Sequence, residues 1–242
     1  MEAATAGTAP RRRGRWIVAA LLGLALFGLG AAIVELSTQK GGRPNVVVNG
    51  INDAQMIFGG VRQSGDRLGD PSAPVRIQVF NDLQCSSCAD QFLSTTPGLV
   101  DKLVRSGRAQ LLYRNYSFSI RVVNEGFVGA EAAGRQGYEW QYAYLFFRNQ
   151  DEAARIGVTT DFLISLAASI GELDVDQWKQ DFTSGGRSDG GITRSIEAQD
   201  EVARGLGLRA APSAIITGPR GTETLQDSPD LGQILAAVNR VD

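Results

Sequence analysis

Cys85 and Cys88 are the only cysteines in a 242-residue chain that contains no histidine. Two residues separate them. Thiols at that spacing can close an intramolecular disulfide, hold two electrons and open again without stranding a partner in a mixed disulfide. The dithiol carries its own electrons, so this chemistry calls for no cofactor. The missing histidines remove the Ser/His and Cys/His nucleophile arrangements and the commonest ligand for zinc or copper. Two sulfurs alone supply half of a closed zinc site, and Met1 and Met56 do not complete one, so no metal is expected. A cross-link between residues three apart cannot staple distant parts of a fold. Redox exchange, a zinc half-site and a pair of inert thiols all share a CxxC, so the motif alone does not choose among them.

The elements around the pair decide what it can do. Val75-Arg76-Ile77-Gln78-Val79-Phe80 alternates apolar and polar residues after Pro71 and Pro74, and predicts a strand. The cysteines follow five residues later, and Phe92, Leu93, Leu99, Val100, Leu103 and Val104 then keep helical spacing. Pro97 should kink or divide that helix, because it lacks an N–H and crowds the preceding turn. Past Gly107, Ala109–Arg114 predicts a second strand, parallel to the first through a right-handed crossover. Residues from about 122 to 206 show no convincing strand. Helical patterns there cover 122–136, 139–149, 161–170, 176–182 and 192–206, an inserted helical region. Residues 213–217 and 222–225 then read as a hairpin around a Gly-Pro-Arg-Gly turn, and 230–241 as a closing helix. Trp140, Tyr142, Tyr144, Phe146 and Phe147 sit at helical spacing and should pack in a core rather than cage a ligand.

At the start of a helix, free backbone N–H groups and the positive end of the dipole favour a thiolate. This makes Cys85 the candidate nucleophile. Cys88, one turn deeper, is the candidate resolving thiol that attacks a Cys85 mixed disulfide.

The amino-terminal region predicts a different environment. Arg11, Arg12, Arg13 and Arg15 precede Trp16–Val34, a run without a charged side chain. At 1.5 Å per residue the run just spans a hydrocarbon core of about 30 Å. Basic flanks stay in the cytoplasm, so residues 1–15 read as a cytoplasmic tail, 16–34 as a single-pass anchor and the remainder as extracytoplasmic. The small residues Gly30-Ala31-Ala32 leave a cleaved signal peptide open, although the run exceeds the usual length of a signal core. Residues 35–55 read as linker and lead-in, with Ser37 through Asn45 rich in breakers. A formal net charge of −2 without a basic block excludes a nucleic-acid partner.

Val79-Phe80-Asn81-Asp82-Leu83-Gln84-Cys85-Ser86-Ser87-Cys88-Ala89-Asp90-Gln91-Phe92 resembles the active-site segment of DsbA-like proteins of the thioredoxin superfamily. Leu112–Tyr116 resembles the strand after the active-site helix, Ala130–Gln150 the inserted helical region, and Leu208–Ser213 the loop that carries a cis-proline facing the dithiol. The likeness covers roughly residues 56 to 241. It implies an α/β thioredoxin-like domain over 56–242 with a helical insertion, behind one transmembrane helix. It also implies a thiol:disulfide oxidoreductase acting on exported proteins with cysteines, with Pro212 cis and the Ala211 backbone pairing with substrate. A quinone-linked membrane oxidant or an electron donor would set the direction, so oxidase, reductase and isomerase all stay open, as does a non-catalytic thioredoxin-like binding module. Ser86 and Ser87 stand where many strongly oxidising relatives have Pro-His. Their hydroxyls replace a cationic imidazole only in part, which implies a less oxidising potential. Asp82 is a candidate for proton transfer with Cys88, against the commoner role of a solvated cap.

Overall fold

The computed structural model describes residues 46–117, 124–187 and 190–242. The Trp16–Val34 run, the arginine cluster before it and most of the linker lie outside the described residues. Among the described residues no helix is long and apolar enough to cross a membrane.

In chain order the elements are α1 (Ile51–Phe58), β1 (Gln63–Ser64), β2 (Arg67–Leu68), β3 (Val75–Asn81), α2 (Ser86–Leu99), a π turn (Val100–Val104) and β4 (Ala109–Asn115). They continue as α3 (Glu125–Gly134), α4 (Glu139–Arg148), α5 (Gln150–Ile156), α6 (Thr160–Ala168), α7 (Val175–Gly185) and α8 (Gly191–Gly205). The chain ends with β5 (Ser213–Gly218), β6 (Gly221–Leu225) and α9 (Leu231–Val241). The six strands form one sheet in the order β1-β2-β4-β3-β5-β6. The parallel pair is the expected one, β3 and β4 in register from Val75 opposite Ala109 to Asn81 opposite Asn115. β5 runs antiparallel on the other side of β3, from Arg76 opposite Thr217 to Phe80 opposite Ser213. Covered by neighbours on both edges, β3 buries Val75, Ile77, Val79, Phe80 and Asn81. The α/β thioredoxin-like arrangement with inserted helices follows from this order.

Three features differ from the sequence expectation. Pro97 does not divide α2, which runs through it to Leu99 and only then widens into the π turn, where the Arg105 N–H reaches the Val100 carbonyl at 3.0 Å. The neighbouring Gly98 matters more for packing: a Cβ there would overlap Leu231 Cδ2, so its absence lets α2 and α9 touch. A sixth helix, α5, starts directly after α4 with only Asn149 between them. The compact unit begins at Val46, so α1 straddles the expected boundary at residue 56.

The inserted helices pack against the same core as the sheet. Phe92, one turn past Cys88 on the buried face of α2, stacks on Trp140 of α4 at 5.8 Å between centroids. It also meets Phe147 at 5.0 Å and Tyr113 of β4 at 6.0 Å. Each of these aromatic pairs contributes about 0.5–1.5 kcal/mol beyond its buried area. The aromatic run of α4 is therefore core, as expected, and it fixes the insertion against the helix that carries the dithiol.

Candidate active site

β3 ends at Asn81, and the chain must turn at once to enter α2. Asp82 makes the turn: its carbonyl accepts the Cys85 N–H at 3.1 Å, and its carboxylate accepts the Gln84 N–H at 3.0 Å. Such Asx bonding lets a short polar side chain stand in for a missing backbone partner. Cys85 is then extended (φ −89°, ψ 121°) and occupies the N-cap position of α2. Its sulfur accepts the Cys88 N–H at 3.2 Å, where a serine or aspartate oxygen would sit in an ordinary cap. Ser87 Oγ lies 3.0 Å from the same sulfur. Ser86 is exposed at the first position of the helix.

The two thiols are free and unequal. Cys85 is half-buried, whereas Cys88 is 0% exposed. Burial pushes the Cys88 thiol far up, its hydrogen bond to the Cys85 side chain adds to that, and the charges of Cys85 and Asp82 act in the same direction against the Asp82 backbone. Cys88 is thus held neutral in the dithiol, and its backbone N–H is the donor that α2 supplies to the Cys85 sulfur.

The facing wall is the loop before β5. The Ala211 carbonyl lies 3.9 Å from Cys85 Sγ, and the Ala211–Pro212 peptide bond is cis. The loop is braced from behind. The Gln226 side chain accepts the Arg209 N–H at 2.8 Å, and the Ser228 N–H donates to the Pro212 carbonyl at 3.2 Å. Asp227 and Ser228 hold φ of 61° and 59° there, a left-handed conformation costing about 1–2 kcal/mol for an L-residue. From the other side, Gln91 of α2 donates to the Pro229 carbonyl at 2.9 Å.

The structure thus brings Asp82, Cys85, Ser87, Cys88 and Ala211 to one place, with Pro212 next to Ala211. Sequence reasoning missed Gln150. Its Nε2 donates to the Leu83 carbonyl at 2.7 Å and to the Cys85 carbonyl at 3.1 Å, reaching from α5 to both ends of the turn. A glutamine opening a short helix gives no signal of that contact. Away from the dithiol, a cleft of about 560 Å³ is lined by Asp66, Arg114, Glu131 and Glu139 among others, and none of the candidate residues lines it.

Comparison with known proteins points the same way. A family model described as thioredoxin matches residues 63–236. A Bacillus cereus protein named "Probable disulfide bond formation protein D" is 26% identical over 154 residues, 62% of this chain and 69% of its own length. Among solved structures, oxidised BdbD from Bacillus subtilis superposes with a TM-score of 0.61 at 17% identity, covering 74% of this chain and 96% of that one. DsbA of Chlamydia trachomatis superposes with a TM-score of 0.59 at 20% identity, covering 72% of this chain and 90% of its own.

Proposed function

This chain belongs to the thioredoxin family, and from that membership we infer that its dithiol works as a thiol:disulfide oxidoreductase, forming disulfides in exported proteins outside the cytoplasm. The observation that carries the reading is the asymmetry of the pair: a half-buried Cys85 sulfur that caps a helix, with Cys88 fully buried one turn below it. A passive pair needs no such difference. A curated relative carries disulfide bond formation in its name, which supports the oxidative direction.

In that direction the enzyme starts with Cys85 and Cys88 joined. A client thiolate attacks Cys85 Sγ, the Cys85–Cys88 bond breaks, and Cys88 leaves with the electron pair. Burial makes the Cys88 thiolate a strong base, so it takes a proton, with Asp82 as the nearby carboxyl group that passes it. A second client thiolate then attacks the client sulfur of the mixed disulfide, and Cys85 departs as a thiolate held by the Cys88 N–H. The client has lost two electrons and the dithiol has gained them. The Ala211 main chain, set beside the sulfur by cis-Pro212, lines up an extended client segment. An oxidant in the membrane, of quinone-linked type, restores the disulfide. The uncharged run Trp16–Val34 behind an arginine cluster supports the anchor and the location.

Oxidised full-length protein should oxidise a reduced two-cysteine peptide stoichiometrically, and Cys85→Ser should not. Equal activity in the two would end the enzymatic reading in favour of a binding module. For the location, a membrane-impermeant thiol reagent applied to intact cells should label Cys85 in the reduced protein.

A further inference from the structure

The dithiol sits on the thioredoxin-like part, yet a side chain of the inserted helices holds its backbone. Leu83, Gln84 and Cys85 lie between the end of β3 and the start of α2, and of the three only the Cys85 carbonyl is taken up by the helix. Gln150, the first residue of α5, sends one amide N–H to Leu83 and one to Cys85. The Cys85 carbonyl also receives the Ala89 N–H at 3.1 Å, and the Cys85 N–H is held by Asp82, so the peptide groups on both sides of Cys85 are fixed. The adjacent Asn149 faces another way. It accepts the Asn49 N–H at 2.8 Å and donates to the Asn49 and Leu145 carbonyls at 3.0 and 2.7 Å. Two consecutive amides thus divide the work at the α4–α5 joint: Asn149 secures the lead-in segment and Gln150 secures the active-site turn.

We propose that Gln150 is a positioning residue that favours the reduced state, by holding the turn in the form in which Cys85 Sγ accepts the Cys88 N–H with both thiols free. The proposal rests on Cys85 being the exchanging thiol. Gln150 touches neither sulfur and acts through the main chain. The bonds are present with both thiols free, and on this proposal they hold the turn in that form, so losing them should favour the disulfide. Gln150→Ala removes both donors. Gln150→Glu goes further, setting a carboxylate against two carbonyl oxygens and close to a developing thiolate.

The test uses the full-length protein equilibrated with glutathione redox buffers, with melting curves recorded in parallel. Gln150→Ala should shift the equilibrium about tenfold toward the disulfide, which for a two-electron couple is about 30 mV toward a more reducing potential. Gln150→Glu should shift it further in the same direction. Alkylation of Cys85 in the reduced variants should slow several-fold. Asn149→Ala serves as the structural control: it should lower the melting temperature and leave the equilibrium constant at the wild-type value. A Gln150→Ala protein that melts earlier but keeps the wild-type equilibrium constant and alkylation rate would overturn the proposal, as would a shift toward the dithiol. If wild-type protein itself fails to exchange with glutathione, the underlying assignment of Cys85 falls instead, and the two failures are distinguishable.

Discussion

The backbone N–H of Cys88 points at the sulfur of Cys85 from 3.2 Å, so the atom proposed for exchange is also the one that caps α2. The two duties separate by substitution. Serine is among the preferred N-cap residues, while alanine supplies no acceptor and costs about 1 kcal/mol at such a position. Cys85→Ser should therefore lose all disulfide exchange with a melting temperature close to wild type. Cys85→Ala should lose the exchange and about 1 kcal/mol of stability as well. Denaturant melts of the two reduced proteins check this, and equal stabilities would mean the sulfur does not cap the helix.

Ser87 is the other group at that sulfur, 3.0 Å away. A neutral hydroxyl stabilises a thiolate less than a charged donor does, since charge-assisted hydrogen bonds are about twice as strong. Ser87→His introduces the first histidine of the chain at this position. The reduced form should gain, and the potential should rise by about 30 mV or more, given about 1.4 kcal/mol per 30 mV. The gain should be largest below the histidine's own titration and fade at high pH, where the imidazole is neutral. Potentials measured at pH 6 and pH 9 test both statements, and a shift independent of pH would exclude the charge as its cause.

The loop behind cis-Pro212 holds Asp227 and Ser228 in consecutive left-handed conformations. Glycine at either site relieves about 1–2 kcal/mol of backbone strain and gives back about 0.5–1 kcal/mol in unfolded-state entropy. The balance favours glycine by at most about 1.5 kcal/mol, and Ser228→Gly should gain more, because aspartate tolerates this region better than serine. A melting temperature raised in Ser228→Gly, with Asp227→Gly closer to wild type, is the expected result. A destabilised Ser228→Gly would show that its side chain contributes more than the strain removes.

The same physical scale explains what the sequence made legible. β3 announced itself because Val75, Ile77 and Val79 alternate with Arg76 and Gln78, and the following helix because Phe92, Leu93, Leu99, Val100, Leu103 and Val104 keep helical spacing. The parallel register then fixed where Cys85 had to emerge. β1 and β2, two residues each, are too short to show any period, and α5 abuts α4 so closely that their patterns merge. Pro97 misled because the helix runs through it to Leu99 and widens into the π turn only from Val100. Gln150 was invisible for a different reason: its partners lie 65 and 67 residues away, and only the packed insertion brings them together.

The burial of Glu139 should make the stability of the fold depend on pH. Glu139 is 1% exposed, its Oε1 accepts the Asn115 amide at 3.3 Å, and burial raises its carboxyl well above the usual range, with the charges of Glu131 and Asp66 adding to the effect and Asn115 and Arg114 opposing it. A carboxyl that binds its proton more tightly in the folded chain stabilises the fold fully below the unfolded-state value of about 4.3. That contribution is lost as pH rises through the folded-state value, because the unfolded chain releases the proton that the fold retains. Glu131 shifts upward as well, mainly through burial, so the two act in the same window. A glutamine in place of Glu139 keeps the Oε1 acceptor for Asn115 and has no proton to lose. Glu139→Gln should thus match wild type near pH 4, exceed it in stability at neutral pH, and flatten the decline between. Denaturant midpoints from pH 4 to pH 8 measure this directly, and a variant less stable than wild type at pH 8 would mean that Glu139 is held ionised by a partner stronger than its burial.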